Sequence, residues 1–282
     1  MNKVSVIIPN YNGCNFLEEC IKSVLSQTIV PDEIIVSDDA STDQSVKILK
    51  ELAAKYSVIK LLERKKNVGL AVNKHEAVMA SSSKYVTFLD SDDFYINHKK
   101  IENELTLLDH YVSKGLDNVI TYSQVAIVDE CGSVIKVNGL TNAAEGDIFF
   151  DILTRGLSFV PRDFMLTKEQ YLRSGGFDLD TKLYVDWNLK LKLAENNLFF
   201  CTHDLGVAYR KHGFGMSSAS KLLHTKWMIH GFSNNVGKLS FQEKIRAYPI
   251  FYSKITKMIL GDKIPLFARR YIKSFLENEK SN

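Results

Sequence analysis

Along the first ninety residues, short runs of β-branched and aromatic residues alternate with segments whose apolar positions recur every three or four residues. Val4-Ser5-Val6-Ile7-Ile8, Glu33-Ile34-Ile35-Val36-Ser37, residues 58–62 and Tyr85-Val86-Thr87-Phe88-Leu89 read as strands, the last buried on both faces. Between them, Phe16, Leu17, Cys20, Ile21, Val24 and Leu25 keep helical spacing, as do Val46, Leu49, Leu52, Ala53 and Tyr56. A third helix fits residues 70–80. The resulting β-α-β-α-β-α-β order, with short connections, predicts a parallel sheet between layers of helices. Right-handed crossovers gather the strand ends on one edge. Three polar turns then share that edge: residues 9–13, 38–43 and 90–93.

Beyond residue 93 the alternation weakens. A helix fits residues 99–112, a hairpin fits 119–128 with 134–137 around Asp129-Glu130-Cys131-Gly132, and a short helix fits 146–153. Residues 185–193 are helix-like, and residues 205–209 form a late strand leading into Arg210-Lys211-His212. Near the end, Ile245, Tyr248, Tyr252, Ile255 and Ile259 lie on one helical face, and Phe267, Tyr271 and Phe275 on another. Pro249 argues against one unbroken helix there.

Composition adds little except in the tail. Hydrophobic residues make up 45% and charged residues 24%, as in ordinary globular proteins. A net charge of +3 is too small to argue for nucleic acid. From Lys244 onward, however, nine Lys/Arg face three Asp/Glu, whereas the remainder carries 27 against 30. Basic amphipathic helices of this kind suit an anionic membrane surface, the core or a second copy in a homodimer. The four cysteines form no C-x-x-C pair and read as reduced thiols, and no signal or membrane-spanning run is visible, so a cytoplasmic protein is expected.

The chemistry concentrates in Asp90, Asp92 and Asp93. Three carboxylates this close repel one another unless a cation intervenes, and hard oxygen ligands select Mg²⁺ or Mn²⁺. An acidic turn with Asp92 capping the next helix accounts for the same residues. The two other polar turns on the same edge tip the balance toward a site, because open α/β sheets bind ligands at such strand ends.

The order Val4-Ser5-Val6-Ile7-Ile8-Pro9-Asn10-Tyr11-Asn12, Asp38-Asp39-Ala40-Ser41-Thr42-Asp43, Asn67-Val68-Gly69 and Leu89-Asp90-Ser91-Asp92-Asp93 resembles glycosyltransferase family 2. The likeness resumes at Gly175-Gly176-Phe177, Asp186-Trp187 and Tyr209-Arg210-Lys211-His212. It implies a GT-A fold: a Rossmann-like α/β architecture with a mixed, mostly parallel sheet flanked by helices. The expected division is a GT-A domain over 1–215 (nucleotide half 1–95, acceptor half 96–215) and a basic helical extension over 216–282.

The resemblance also implies inverting, metal-dependent transfer from a UDP-sugar to a hydroxyl of a glycan or lipid-linked glycan, as in bacterial polysaccharide or O-antigen synthesis. Tyr11 would stack on the base and Asp39 would accept from its N–H. Pro9, Asn67, Gly69, Asp90 and Ser91 would complete the nucleotide site, with Asp90 at the ribose. Asp92, Asp93 and His212 would hold Mn²⁺ or Mg²⁺, and Arg210 a phosphate. Asp186 aligns with the base that takes the acceptor proton. The acid that usually precedes it is replaced by Val185, which leaves Asp178 and Asp180 as alternatives. The rival readings are weaker. A phosphatase of the haloacid-dehalogenase type needs an aspartate on the first strand, and a nucleotidyltransferase needs a Gly-rich, Arg-containing loop after it. A catalytically degenerate GT-A-fold protein used for nucleotide binding or as a scaffold would have lost the carboxylates.

Overall fold

The alternation over the first ninety residues builds four parallel strands. β1 (Val4–Asn10) lies between β2 (Glu33–Asp38) and β4 (Tyr85–Phe88), and β3 (Ile59–Glu63) extends the sheet beyond β2. These come from a computed structural model that describes residues 3–138, 143–155, 160–213 and 220–260. The crossovers run through α1 (Leu17–Leu25), α2 (Ser45–Lys55) and α3 (Leu70–Ala80). Register sets Asn10 beside Asp38 and Ile7 beside Phe88, so the turns after β1, β2 and β4 emerge together.

Past residue 93 the sheet becomes mixed. β5 (Phe94–Tyr95) is followed by α4 (Lys100–Ser113) and the hairpin of β6 (Val119–Val128) and β7 (Val134–Asn138), which matches the expected one closely. After α5 (Phe149–Arg155) come β8 (Met165–Thr167), α6 (Lys168–Arg173), α7 (Val185–Ala194) and β9 (Leu198–Arg210). The nine-stranded sheet runs β3-β2-β1-β4-β8-β6-β9-β5, with β7 beside β6. The helices lie on both faces. Ile7, Ile35, Val86 and Phe88 pack toward one buried cluster, while Val6, Ile8, Ile34, Val36 and Tyr85 pack toward the other. That is the two-residue period of a strand covered on both sides.

Four elements depart from the sequence reading. β9 starts seven residues before the expected strand, because Thr202, His203 and Asp204 interrupt the apolar run. There His203 takes a φ of 61° and the pairing with β6 slips. β8 and α6 were not expected, although Thr167 and Gln170 form a reciprocal capping box whose T-x-x-Q spacing is visible in the chain. Finally, α9 (Phe241–Leu260) runs through Pro249 as a single helix.

α9 packs against α8 (Lys221–Asn235), with Phe251 stacked on Phe232 at 3.9 Å between centroids. Its inner face buries Ala247, Phe251 and Ile255, while Phe241, Ile245, Tyr248, Tyr252 and Ile259 are exposed. The expected helix carrying Phe267, Tyr271 and Phe275, and the expected boundary at residues 215–216, lie outside the described residues. Among the described residues, no helix is long and apolar enough to cross a membrane, and all four cysteines are free thiols.

Glu33 ties the far ends of the parallel strands together. Its carboxylate accepts from Ser5 Oγ at 2.6 Å, from the Ser82 backbone at 2.9 Å and from Lys60. Burial would raise this carboxyl, but the hydrogen bonds hold it at about 2. A depressed folded-state value means stability that is full above the free value and lost as pH falls from about 4.5 toward about 2. Because the side chain is only 5% exposed, screening is weak. Glu33→Gln is therefore expected to cost about 2 kcal/mol at neutral pH. It should also flatten the acid-side loss of stability, as urea melts at neutral and acidic pH would measure.

Candidate active site

The shared edge is assembled by hydrogen bonds among the turns themselves. Asn10, at the end of β1, donates to Asp38 Oδ2 at 2.7 Å, and Asp38 also accepts from the Ser41 backbone at 2.9 Å and its hydroxyl at 2.7 Å. Asp38 is thus spent on shaping its own turn. Asp39, next to it, is not free either. Its two oxygens accept from the backbone N–H groups of Val68 at 2.8 Å and Gly69 at 2.9 Å, while Asn67 Nδ2 donates to the Asp39 carbonyl at 3.2 Å. Asp39, Asn67 and Gly69, expected to act together, do meet. A carboxylate has about four acceptor positions, so two remain for a ligand. Gly69 begins α3 at φ 88° and ψ 160°, a conformation that disfavours any side chain. Pro9 is buried in β1, Tyr11 stands at the rim with 53% exposure, and Ser91 is buried within the turn.

The carboxylates of Asp90, Asp92 and Asp93 place one oxygen each within 4.8 Å of the others. They differ sharply in what already holds them. Asp90 pairs with Lys74 Nζ at 2.9 Å through Oδ1 and with Arg162 Nε at 2.8 Å through Oδ2. Burial would raise its carboxyl, but Arg162 and Lys74 hold it down at about 2. Asp93 is buried, with Oδ1 accepting from the Arg210 backbone at 2.9 Å and Oδ2 paired with Arg162. An ion bound through Asp93 would have to share its oxygens with these groups. Asp92 is the most open of the three, its side chain 34% exposed, and its Oδ2 lies 2.8 Å from His212 Nε2. His212 packs its ring against Phe16 at 5.2 Å.

Asp186 joins this cluster from the opposite half. It lies in the first turn of α7, and its Oδ1 accepts from Lys74 Nζ at 2.8 Å. α7 is fixed in place by Trp187, whose indole donates to the Ile152 carbonyl at 2.8 Å, and by Tyr184, whose φ of 64° aims the first turn. Asp178 and Asp180 remain in the preceding loop, where Asp178 Oδ1 accepts from the Asp180 backbone at 3.4 Å. Three carboxylates (Asp90, Asp93, Asp186) thus meet two basic side chains, Lys74 and Arg162, with Asp92 beside them on His212. Burial pushes the Asp93 carboxyl well above the ordinary carboxylate range despite Arg162, and the oxygen donors of the group suit Mg²⁺ or Mn²⁺.

One expectation is corrected. Arg210 was expected to hold a phosphate, but its side chain is only 2% exposed. Its Nε donates to the Asp92 carbonyl at 3.0 Å, Nη1 to the Glu130 carbonyl at 2.6 Å and Nη2 to Glu19 at 2.5 Å. The guanidinium also sits 4.7 Å from the Phe16 ring centroid and 5.2 Å from that of Phe94. Arg210 braces the carboxylate turn from behind. Lys74 and Arg162 were missed altogether. Lys74 had a legible signal, since it stands on the buried face of α3 with Ala71, Ala77 and Val78. Arg162, stacked 4.1 Å over Tyr209, had none.

Known proteins place this geometry in context. Residues 5–123 match the family model described as Glycosyl transferase family 2. An uncharacterized glycosyltransferase from Escherichia coli (strain K12), YibD, is 41% identical over 92 residues, which are 33% of this chain and 26% of that protein. A chondroitin synthase from Escherichia coli is 27% identical over 241 residues, covering 86% of this chain and 31% of the synthase. The chain therefore spans a third or less of the length of these two relatives. The crystal structure of S. aureus TarS 1-349 in complex with UDP-GlcNAc superposes with a TM-score of 0.67 at 19% identity, over 98% of this chain and 80% of that one. The overall architecture, a curled and mostly parallel sheet flanked by helices, is shared.

Proposed function

We propose that the chain, whose residues 5–123 match glycosyl transferase family 2, is an enzyme of that family and transfers a sugar, with inversion, from a UDP-sugar to a hydroxyl of a growing or lipid-linked glycan. The observation that carries the reading is the meeting of Asp186 with the Asp90–Asp93 turn across Lys74. It brings an acid from the acceptor half against the carboxylates of the nucleotide half. Inverting displacement needs that arrangement, with a base facing the donor carbon from the side opposite the leaving group. The UDP-GlcNAc complex of a protein with this fold supports the donor class, and the chondroitin synthase likeness supports a polysaccharide product.

In this reading Tyr11 offers its exposed ring to the uracil. Asp39 accepts the ring N–H on the positions left over from Val68 and Gly69. Pro9, Asn67, Gly69 and Ser91 shape the groove, and Asp90 meets the ribose. Asp92 and His212 would hold Mn²⁺ or Mg²⁺, with Asp93 behind them anchoring Arg162 and the Arg210 backbone. When bound, the ion offsets charge developing on the departing diphosphate. Asp186 takes the proton of the attacking hydroxyl on its second oxygen.

A panel of UDP-sugars assayed for UDP release with Mn²⁺ or Mg²⁺, alongside UDP binding by calorimetry, tests this. UDP binding that EDTA weakens, and UDP release raised by one donor, are expected. No binding and no release with any donor would favour the catalytically degenerate scaffold instead.

The outer face of α9 suggests where the enzyme works. Phe241, Ile245, Tyr248, Tyr252 and Ile259 form an exposed stripe on a helix that also carries Lys244 and Lys257, at the start of the strongly basic tail. This face fits the anionic inner leaflet of the plasma membrane, with the enzyme peripheral on the cytoplasmic side. Co-sedimentation with phosphatidylglycerol vesicles but not with neutral ones is expected, weakened by high salt and by Phe241→Asp. A lipid-free homodimer that buries Phe241 would assign the stripe to a second subunit.

A further inference from the structure

The ammonium of Lys74 has no solvent exposure, yet it sits between two carboxylates from opposite halves of the molecule. We propose that Lys74 is a positioning residue, which holds the Asp186 carboxylate in register with the nucleotide turn and so sets the base against the donor. The proposal rests on the reading of Asp186 as the base.

Stability alone does not account for this lysine. Burying an ammonium costs several kcal/mol, and a well-packed apolar residue in place of a buried ion pair is often neutral or stabilising. α3 already buries Ala71, Ala77 and Val78 on this face, and Lys74 lies over the Phe88 ring at 6.0 Å. A leucine or methionine would extend that packing. What only a cation supplies is a fixed bridge from Asp90 Oδ1 at 2.9 Å to Asp186 Oδ1 at 2.8 Å.

The two carboxylates depend on the bridge unequally. Asp90 keeps Arg162 on its other oxygen at 2.8 Å. Among the described ion pairs, the one that touches the Asp186 carboxylate is Lys74, while the buried Lys190 ammonium, one turn on along α7, acts on it only electrostatically. Loss of Lys74 therefore removes the contact that fixes Asp186 while leaving Asp90 tethered to Arg162. The bridge also engages one oxygen of Asp186 and leaves the other for the acceptor hydroxyl. α3 itself is anchored at the nucleotide edge, because Asp39 accepts from the N–H of Gly69, the residue that caps the helix. Lys74 follows five residues later, about 7.5 Å along the axis. The helix thus spaces the nucleobase end of the groove from the base.

The test compares Lys74→Gln and Lys74→Arg with the wild type in UDP binding with Mn²⁺ and in steady-state transfer, with thermal melts alongside. Lys74→Gln is expected to lower kcat about 100-fold, the cost of a base misplaced by about an ångström. The UDP dissociation constant and the donor KM should stay within about threefold, because Asp90 remains held. Lys74→Arg should recover kcat to within about tenfold of the wild type, since it keeps the charge in a different shape. In an Asp186→Asn background, Lys74→Gln should cost nothing further, because the group it positions is already disabled.

A Lys74→Gln kcat within about tenfold of wild type, or UDP affinity falling as far as the rate, overturns the proposal. If the Gln variant does not fold, Lys74→Met, which keeps the packing over Phe88 without the charge, decides. A lowered kcat at wild-type KM supports positioning, and wild-type kinetics or a raised KM at wild-type kcat overturns it. A wild-type chain that neither binds UDP nor releases it would overturn the glycosyltransferase reading itself, and is seen before any substitution is compared.

Discussion

Asp186→Asn is expected to abolish most transfer, by about 10²–10⁴-fold in kcat, while UDP binding in the presence of Mn²⁺ stays within about threefold of wild type. The amide keeps the size of the carboxylate, and its oxygen can still accept from Lys74, which donates to Asp186 Oδ1 at 2.8 Å. What it loses is the capacity to take a proton. The separation of rate from binding follows from position: Asp186 stands on α7, whereas the groups assigned to the nucleotide stand on the turns after β1, β2 and β4. Transfer surviving at more than about a tenth of the wild-type rate would show that another group is the base. Asp178 and Asp180, in the loop before α7, would then be next for substitution.

Asp92→Ala is expected to erase the difference between UDP affinity measured with Mn²⁺ and with EDTA, a loss of about 10–100-fold under metal-replete conditions. Asp92 is singled out because its neighbours are already neutralised. Asp90 has Lys74 and Arg162, and Asp93 has Arg162 and the Arg210 backbone. Removing Asp92 also takes the carboxylate partner from His212 Nε2 at 2.8 Å. The fold should survive, since Asp92 is partly exposed and the turn is held by the Asp93 N–H donating to the Asp90 carbonyl at 3.0 Å. Calorimetric titration of UDP into wild type and variant, with and without chelator, measures the effect. A variant that keeps its Mn²⁺-dependent gain in affinity would move the ion to other ligands.

What was legible in the chain was local. The strands before residue 90 are short apolar runs ending in dense turn residues, and a register set by neighbouring strands brings Asn10, Asp38 and Asp90 to one edge. The carboxylates could be read because they lie within four residues of one another. The cations that organise them could not. Arg162 reaches Asp93 across 69 residues, and Lys74 reaches Asp186 across 112. Long basic side chains are ordinarily solvated, so only the folded chain reveals which of them turn inward. Arg210 illustrates the other failure. Its place beside the site was legible from sequence, but the direction of its head, back toward Glu19 and the Glu130 carbonyl, depends on where α1 and the β6–β7 turn come to rest.

Gly231, on α8, meets Trp187 so closely that a Cβ there would lie 2.4 Å from the indole. One residue earlier than that tryptophan stands Asp186, and Tyr184 bonds His224 of the same helix at 3.0 Å. α8 therefore forms the outer wall against which α7, the helix that carries Asp186, is seated. It is not a detachable appendage, and a chimera joined near residue 215 would exchange that wall along with any membrane address. A tail exchanged for another would have to keep the tryptophan's socket on α8 intact.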